Sequence, residues 1–205
     1  MIKVTKNINE YLFIVTVESY LKEQANELLN LLSKIEFSIL RDNFTIQVGF
    51  SIFKLKKVDE KFIVISPDYS KNPLIDTTED LTIALWIQLE QGILLNKLNL
   101  IGESISFQDK IICSKGVLKL DDIYLERSGE CEKGDSGWYI GPVDEVNDNE
   151  ELESYYAYQI IKIRPSIIQV LTLPNGYMAV FNKDRLDAVL DYNDIDVLKA
   201  NTDNG

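Results

Sequence analysis

The apolar positions of this chain fall into short segments with two different periods. Tyr11 to Val17 is a continuous β-branched and aromatic run, which predicts a strand buried on both faces. A helix is predicted next, with Ser19 as its cap, because Leu21, Ala25, Leu28, Leu29, Leu32 and Ile35 recur every three or four residues. Phe44 to Val58 alternates in period two and predicts one half-buried strand after a turn at Arg41-Asp42-Asn43. Asp59-Glu60-Lys61 reads as a hairpin turn into a strand at Phe62–Ile65, and Thr77-Thr78-Glu79-Asp80 as a capping box opening a long apolar helix over 79–98.

The second half is more broken. Short strands are predicted at Ile105–Phe107, Ile111–Cys113 and Ile123–Leu125. Asp135-Ser136-Gly137 reads as a turn needing a positive φ or a close backbone approach at Gly137, and it leads into a strand headed by Trp138. Pro142 to Ser154 is a long polar loop. Beyond it the pattern predicts a strand at Tyr155–Ile163 and a short helix opened by Pro165. A Pro174-Asn175-Gly176 turn leads into a strand at Tyr177–Phe181, a short helix follows at 184–190, and the tail frays from Lys199. The expectation is an α+β fold: antiparallel sheets with helices packed on one face, in two closely packed subdomains that divide near 99–104 without a flexible linker.

Composition narrows the chemistry. The 205 residues include no histidine and two cysteines, Cys113 and Cys131, which read as reduced thiols. Without histidine there is no Ser-His-Asp or Cys-His machinery and no histidine metal ligand. No phosphate-binding glycine loop occurs, and the acidic stretch 144–150 lacks the spacing of a calcium loop. We therefore expect no enzyme activity, no cofactor and no metal. No apolar run is long enough to span a membrane, and Met1–Asn7 lacks the pattern of a secretory signal, so a cytosolic location is expected.

Charge is concentrated. The formal net charge is -12, and residues 121–153 hold 12 acids against only Arg127 and Lys133. Such a surface repels nucleic acid and attracts basic proteins. The candidate partner-binding residues are Glu130, Glu132, Asp135, Asp144, Glu145, Asp148, Glu150 and Glu151, with the aromatics Trp138, Tyr139, Tyr155 and Tyr156. Trp138 is also the residue type that fills a core at the start of a strand, and both roles stay open at this point. A solvated loop is likewise the plain reading of the acids.

Residues from about Ile111 to Phe181 resemble a bacterial family. The shared features are the Ser136-Gly137-Trp138 turn, the downstream Gly141-Pro142-Val143-Asp144-Glu145, a strand at Tyr158–Ile163, the helix Pro165-Ser166-Ile167-Ile168-Gln169-Val170-Leu171, and the Pro174-Asn175-Gly176 turn before Phe181. The family is immunity protein family thirty-three of the polymorphic toxin systems. Tyr139 stands where a basic residue is usual in it, and Arg164 where an Asp is common, so a partner touching those positions would differ here. The resemblance implies an immunity-protein-like domain over 101–198, after an unassigned N-terminal subdomain over 1–100. It also implies that the chain binds a cognate protein toxin and holds it inactive. An acidic face would suit a basic toxin, such as a nuclease with a basic substrate groove. The other reading is a small-ligand-binding or regulatory domain.

Overall fold

In the computed structural model, which describes residues 1–144 and 151–200, the chain separates into two units, Met1–Leu89 and Glu90–Gly205. The first opens with β1 (Ile2–Ile8), a strand the apolar pattern did not single out. It pairs antiparallel with β2 (Tyr11–Val17) across a turn in which Asn9 takes a φ of 53°. β2 alternates: Phe13, Val15 and Val17 are buried and their neighbours only half so.

Helix α1 (Lys22–Ser33) turns the expected stripe inward, with Leu21, Ala25, Leu28, Leu29 and Leu32 all buried. Each such side chain contributes roughly 1.5–3 kcal/mol when fully buried. Ser19 does not cap this helix. It starts a 3-10 turn, Ser19–Leu21, that leads into it.

The period-two run over 44–58 folds back on itself as β3 (Thr45–Val48) and β4 (Ser51–Val58), with Val48 opposite Ser51. Gly49 supplies the positive φ, 57°, that a two-residue hairpin turn requires. The inward positions then shift from even to odd numbers, and Ser51, Phe53 and Leu55 are the buried ones in β4. β5 (Lys61–Pro67) follows the Asp59-Glu60 turn. Thr77 and Thr78 form the short strand β6 instead of a capping box, and α2 (Thr82–Leu98) starts later, where Asp80 Oδ1 accepts the Thr82 N–H at 3.0 Å. The sheet runs β1-β2-β5-β4-β3, with β6 on β5. The border between the units falls inside α2, between Leu89 and Glu90.

The second unit is built on another six-stranded sheet. Its strands are β7 (Lys110–Ser114), β8 (Asp122–Arg127), β9 (Asp135–Pro142), β10 (Leu152–Tyr156), β11 (Met178–Asn182) and β12 (Arg185–Leu190), ordered β10-β7-β9-β8-β11-β12. Each sheet contains one parallel pair, β2 with β5 and β7 with β9. The α+β class therefore holds, but the sheets are mixed and not purely antiparallel.

Three local expectations are corrected in this unit. Ile105 and Phe107 are buried but lie in irregular backbone. The run Tyr155–Ile163 breaks after Tyr156, where Gln159 Oε1 accepts the Tyr156 N–H at 2.8 Å and opens α3 (Ala157–Ile163). Residues 185–190 form β12, hairpinned to β11 over Lys183, whose φ is 53°. A 3-10 helix, Pro165–Val170, follows α3 with proline in the first turn, and α4 (Val197–Ala200) ends the described chain. Residues 201–205 of the expected tail lie outside the described residues. No helix among the described residues is long and apolar enough to cross a membrane.

The two faces of the second sheet differ sharply. Ile111, Cys113, Ile123, Leu125, Trp138, Ile140, Ala179, Phe181 and Val189 are almost fully buried. Cys113 shares this face, and burial pushes its thiol up to about 12, whereas Cys131 is exposed. Native protein should therefore react rapidly with a thiol reagent at Cys131 alone, and with a second equivalent only after unfolding. Two fast equivalents in the native protein would contradict this placement. The Cys113 shift also sets an alkaline limit. Its contribution to stability is intact below the ordinary 9.0 and is lost as pH rises toward about 12, because the unfolded thiol ionises first.

Candidate partner-binding surface

β9 lies between β7 and β8, so the Asp135–Gly141 segment sits in the middle of the sheet. Gly137 has a φ of +75°, and a Cβ placed on it would stand 2.4 Å from the Ser128 carbonyl oxygen. Both features expected of this glycine are present together. β9 bulges here against β7: Lys110 pairs with Asp135 but Ile112 pairs with Tyr139. Asp135 Oδ1 accepts the Gly137 N–H at 2.8 Å, and Ser136 Oγ donates to the Lys110 carbonyl at 2.6 Å. The half-buried Asp135 carboxylate thus holds its own turn.

Trp138 is core. Its side chain is 1% exposed, and its Nε1–H donates to the Leu171 carbonyl at 3.3 Å. A partner cannot contact it without unfolding the sheet, so it leaves the set of surface candidates. Above its ring, 5.8 Å from the centroid, lies the guanidinium of Arg127. Arg127 is itself buried and donates through Nη1 to the carbonyls of Glu103, at 2.6 Å, and Leu173. Burial lowers its pKa, but a guanidinium stays charged at any ordinary pH, so these carbonyls replace the water it has lost.

Arg164 is a second buried clamp. It donates to the carbonyls of Leu120, at 2.6 Å, Asp121, at 3.2 Å, and Lys183, with Nε 3.8 Å from Asp184. Buried in this way, Arg164 serves the fold and is not part of a contact surface. Sequence reasoning counted Arg127 only as a counter-charge. The available signal was its place in the alternation Ile123, Leu125, Arg127, at an inward strand position.

The opposite face carries Tyr139. Its hydroxyl lies 2.8 Å from Ser114 Oγ, and its ring is 5.9 Å from that of Tyr124. Tyr124 lies across Gly141, where an added Cβ would come within 2.7 Å of the ring. Tyr156, opposite Lys110, is on this same face, stacked on Tyr158 at 5.7 Å and 36% exposed. Tyr155 pairs with Ile111 and so belongs to the core side at the sheet margin. Desolvation raises its phenol pKa, helped by Glu153.

Among the described residues, the candidate acids fall in two groups. Glu130 and Glu132 are exposed in the loop that precedes β9. Asp144, also exposed, follows the far end of β9, and Glu151, before β10, is paired at 2.5 Å with Lys115, just past the same end of β7. Counted along its β7 ladder, β9 covers five steps between these groups, about 17 Å at roughly 3.3 Å per step. Glu145, Asp148 and Glu150 lie outside the described residues. Asp121 and Asp122, not singled out from sequence, join Asp144, Leu120 and Pro142 around a cleft of about 200 Å³ at the far end.

A family model described as an Imm33-like domain matches residues 90–192, just over half of the chain, and begins where the second unit begins. Neither the curated proteins nor the solved structures contain a match.

Proposed function

The chain belongs to the Imm33-like family, and we propose that it is a bacterial immunity protein that holds a cognate toxin inactive in the cytosol by direct protein–protein contact, without catalysis. One observation carries this reading: the unit matched by the family is the one that bears the charge. Residues 90–205 contain 21 acids against 11 basic residues, whereas residues 1–89 contain 12 against 10. A net of -10 on one unit raises the encounter rate with a basic partner and disfavours nucleic acid. The described acids Glu130, Glu132, Asp144 and Glu151, with Asp121 and Asp122, are the groups proposed to steer the toxin.

The test is to express the chain with the product of the gene next to its own. Restored growth of the host and a co-purifying complex are the expected results. A toxic neighbour that the chain neither binds nor silences would end the reading. Neutralising Asp121, Asp122, Asp144 and Glu151 together should slow association about tenfold at low salt and flatten its salt dependence, leaving dissociation nearly unchanged. Kinetics identical to the parent protein would remove these acids from the docking step.

A further inference from the structure

The two central rows of the outward face of the second sheet hold a single charged side chain, Glu126, while Lys110, Asp122 and Arg185 stand toward the strand ends. The strand positions that look away from Trp138 carry Ile112 on β7, Tyr139 on β9, Tyr124 on β8, and Met178 and Val180 on β11, all of them half-buried. The only carboxylates at strand positions on this face of β8 are Asp122 and Glu126. We propose that this face is the contact core for the basic toxin, and that the two separated groups of acids form the two ends of a single rim around it. The inference rests on the immunity reading.

Three physical points carry it. Interface cores are depleted of charge and enriched in tyrosine and methionine, which is the composition found here inside a unit of net charge -10. The two tyrosines are already fixed, Tyr139 by Ser114 and Tyr124 by its seat over Gly141, so little side-chain entropy is lost on docking. Size then assigns a role to the acids. Six strands about 4.8 Å apart and five residues long span roughly 24 by 17 Å, on the order of 400 Å², or half of one side of a standard interface. The remaining area must come from the margins, where Glu130 and Glu132 stand at one end and Asp121, Asp122 and Asp144 at the other. The partner that fits has an apolar centre flanked by basic groups about 17 Å or more apart.

The experiment measures binding of the full-length chain to the purified product of the neighbouring gene. Val180→Arg places a cation in the middle of the face and is expected to weaken binding at least about thirtyfold, mainly through faster dissociation. Ile112→Lys provides the same readout if the first variant melts early. A folded variant of either kind that binds as tightly as the parent overturns the proposal while leaving the immunity reading in place. Absence of binding by the parent protein overturns both. A parent dimer that Val180→Arg dissociates would give the face to a second copy of the chain and overturn the proposal in that way.

Discussion

Gly137→Ala is expected to destabilise the protein by about 3 kcal/mol or more, read as a lower midpoint in urea with an unchanged slope. Two separate effects add at this position. The left-handed φ of +75° costs a residue with a Cβ roughly 1–2 kcal/mol. The new methyl would also stand 2.4 Å from the Ser128 carbonyl oxygen, a backbone atom that cannot rotate away. Moving Ser128 would in turn disturb its N–H, which donates to the Gly137 carbonyl at 2.9 Å.

Two nearby glycines separate these effects. Gly134 has a φ of +90° but open space around its Cα, so Gly134→Ala should show the strain alone, about 1 kcal/mol. Gly129 has no positive φ and its nearest neighbour would be 3.5 Å away, so Gly129→Ala should be close to neutral. If Gly137→Ala lost no more than Gly134→Ala, the close approach to Ser128 would be refuted.

The turn at Gly137 was legible because its chemistry is local: Asp and Ser hydrogen-bond their own backbone, and only glycine takes that φ without strain. The stripe of α1 was legible for the same kind of reason, since helical period is written in adjacent turns. What escaped depends on partners distant in sequence. Alternation through 44–58 does not show that the chain reverses at Gly49, because each arm of the hairpin alternates on its own. Residues 185–190 hold Leu186, Ala188, Val189 and Leu190, which suit a helix or a strand. Pairing with β11 selects the strand.

The charge cluster was legible as composition but not as position. Twelve acids within 121–153 look like one surface when written in a line. The chain crosses the sheet along β8 and β9 within that window, so neighbours in sequence arrive at opposite ends of the strands. Arg127 and Arg164 were illegible for the converse reason. Their partners are main-chain carbonyls of Glu103, Leu173, Leu120 and Lys183, and carbonyls leave no trace in composition.

Trp138→Ala and Tyr139→Ala, adjacent residues on opposite faces of one strand, should give opposite phenotypes. Removing the Trp138 indole empties a fully buried site, which for Trp typically costs about 3–5 kcal/mol. It also takes the donor from the Leu171 carbonyl and uncovers the Arg127 guanidinium, which is buried and has an Nε without a partner. Tyr139 is half-exposed and its main polar contact is with Ser114, so its loss should cost only about 1 kcal/mol. Binding to the neighbouring gene product should rank the other way once corrected for the folded fraction. Tyr139→Ala should weaken it at least about tenfold, while the folded population of Trp138→Ala, examined below its denaturation midpoint, should bind nearly as the parent does. Urea melts paired with titrations of both variants make the comparison. Equal stability losses would mean that the half-exposed face is as much a core as the other, and binding defects that merely follow stability would leave β9 a scaffold on both sides.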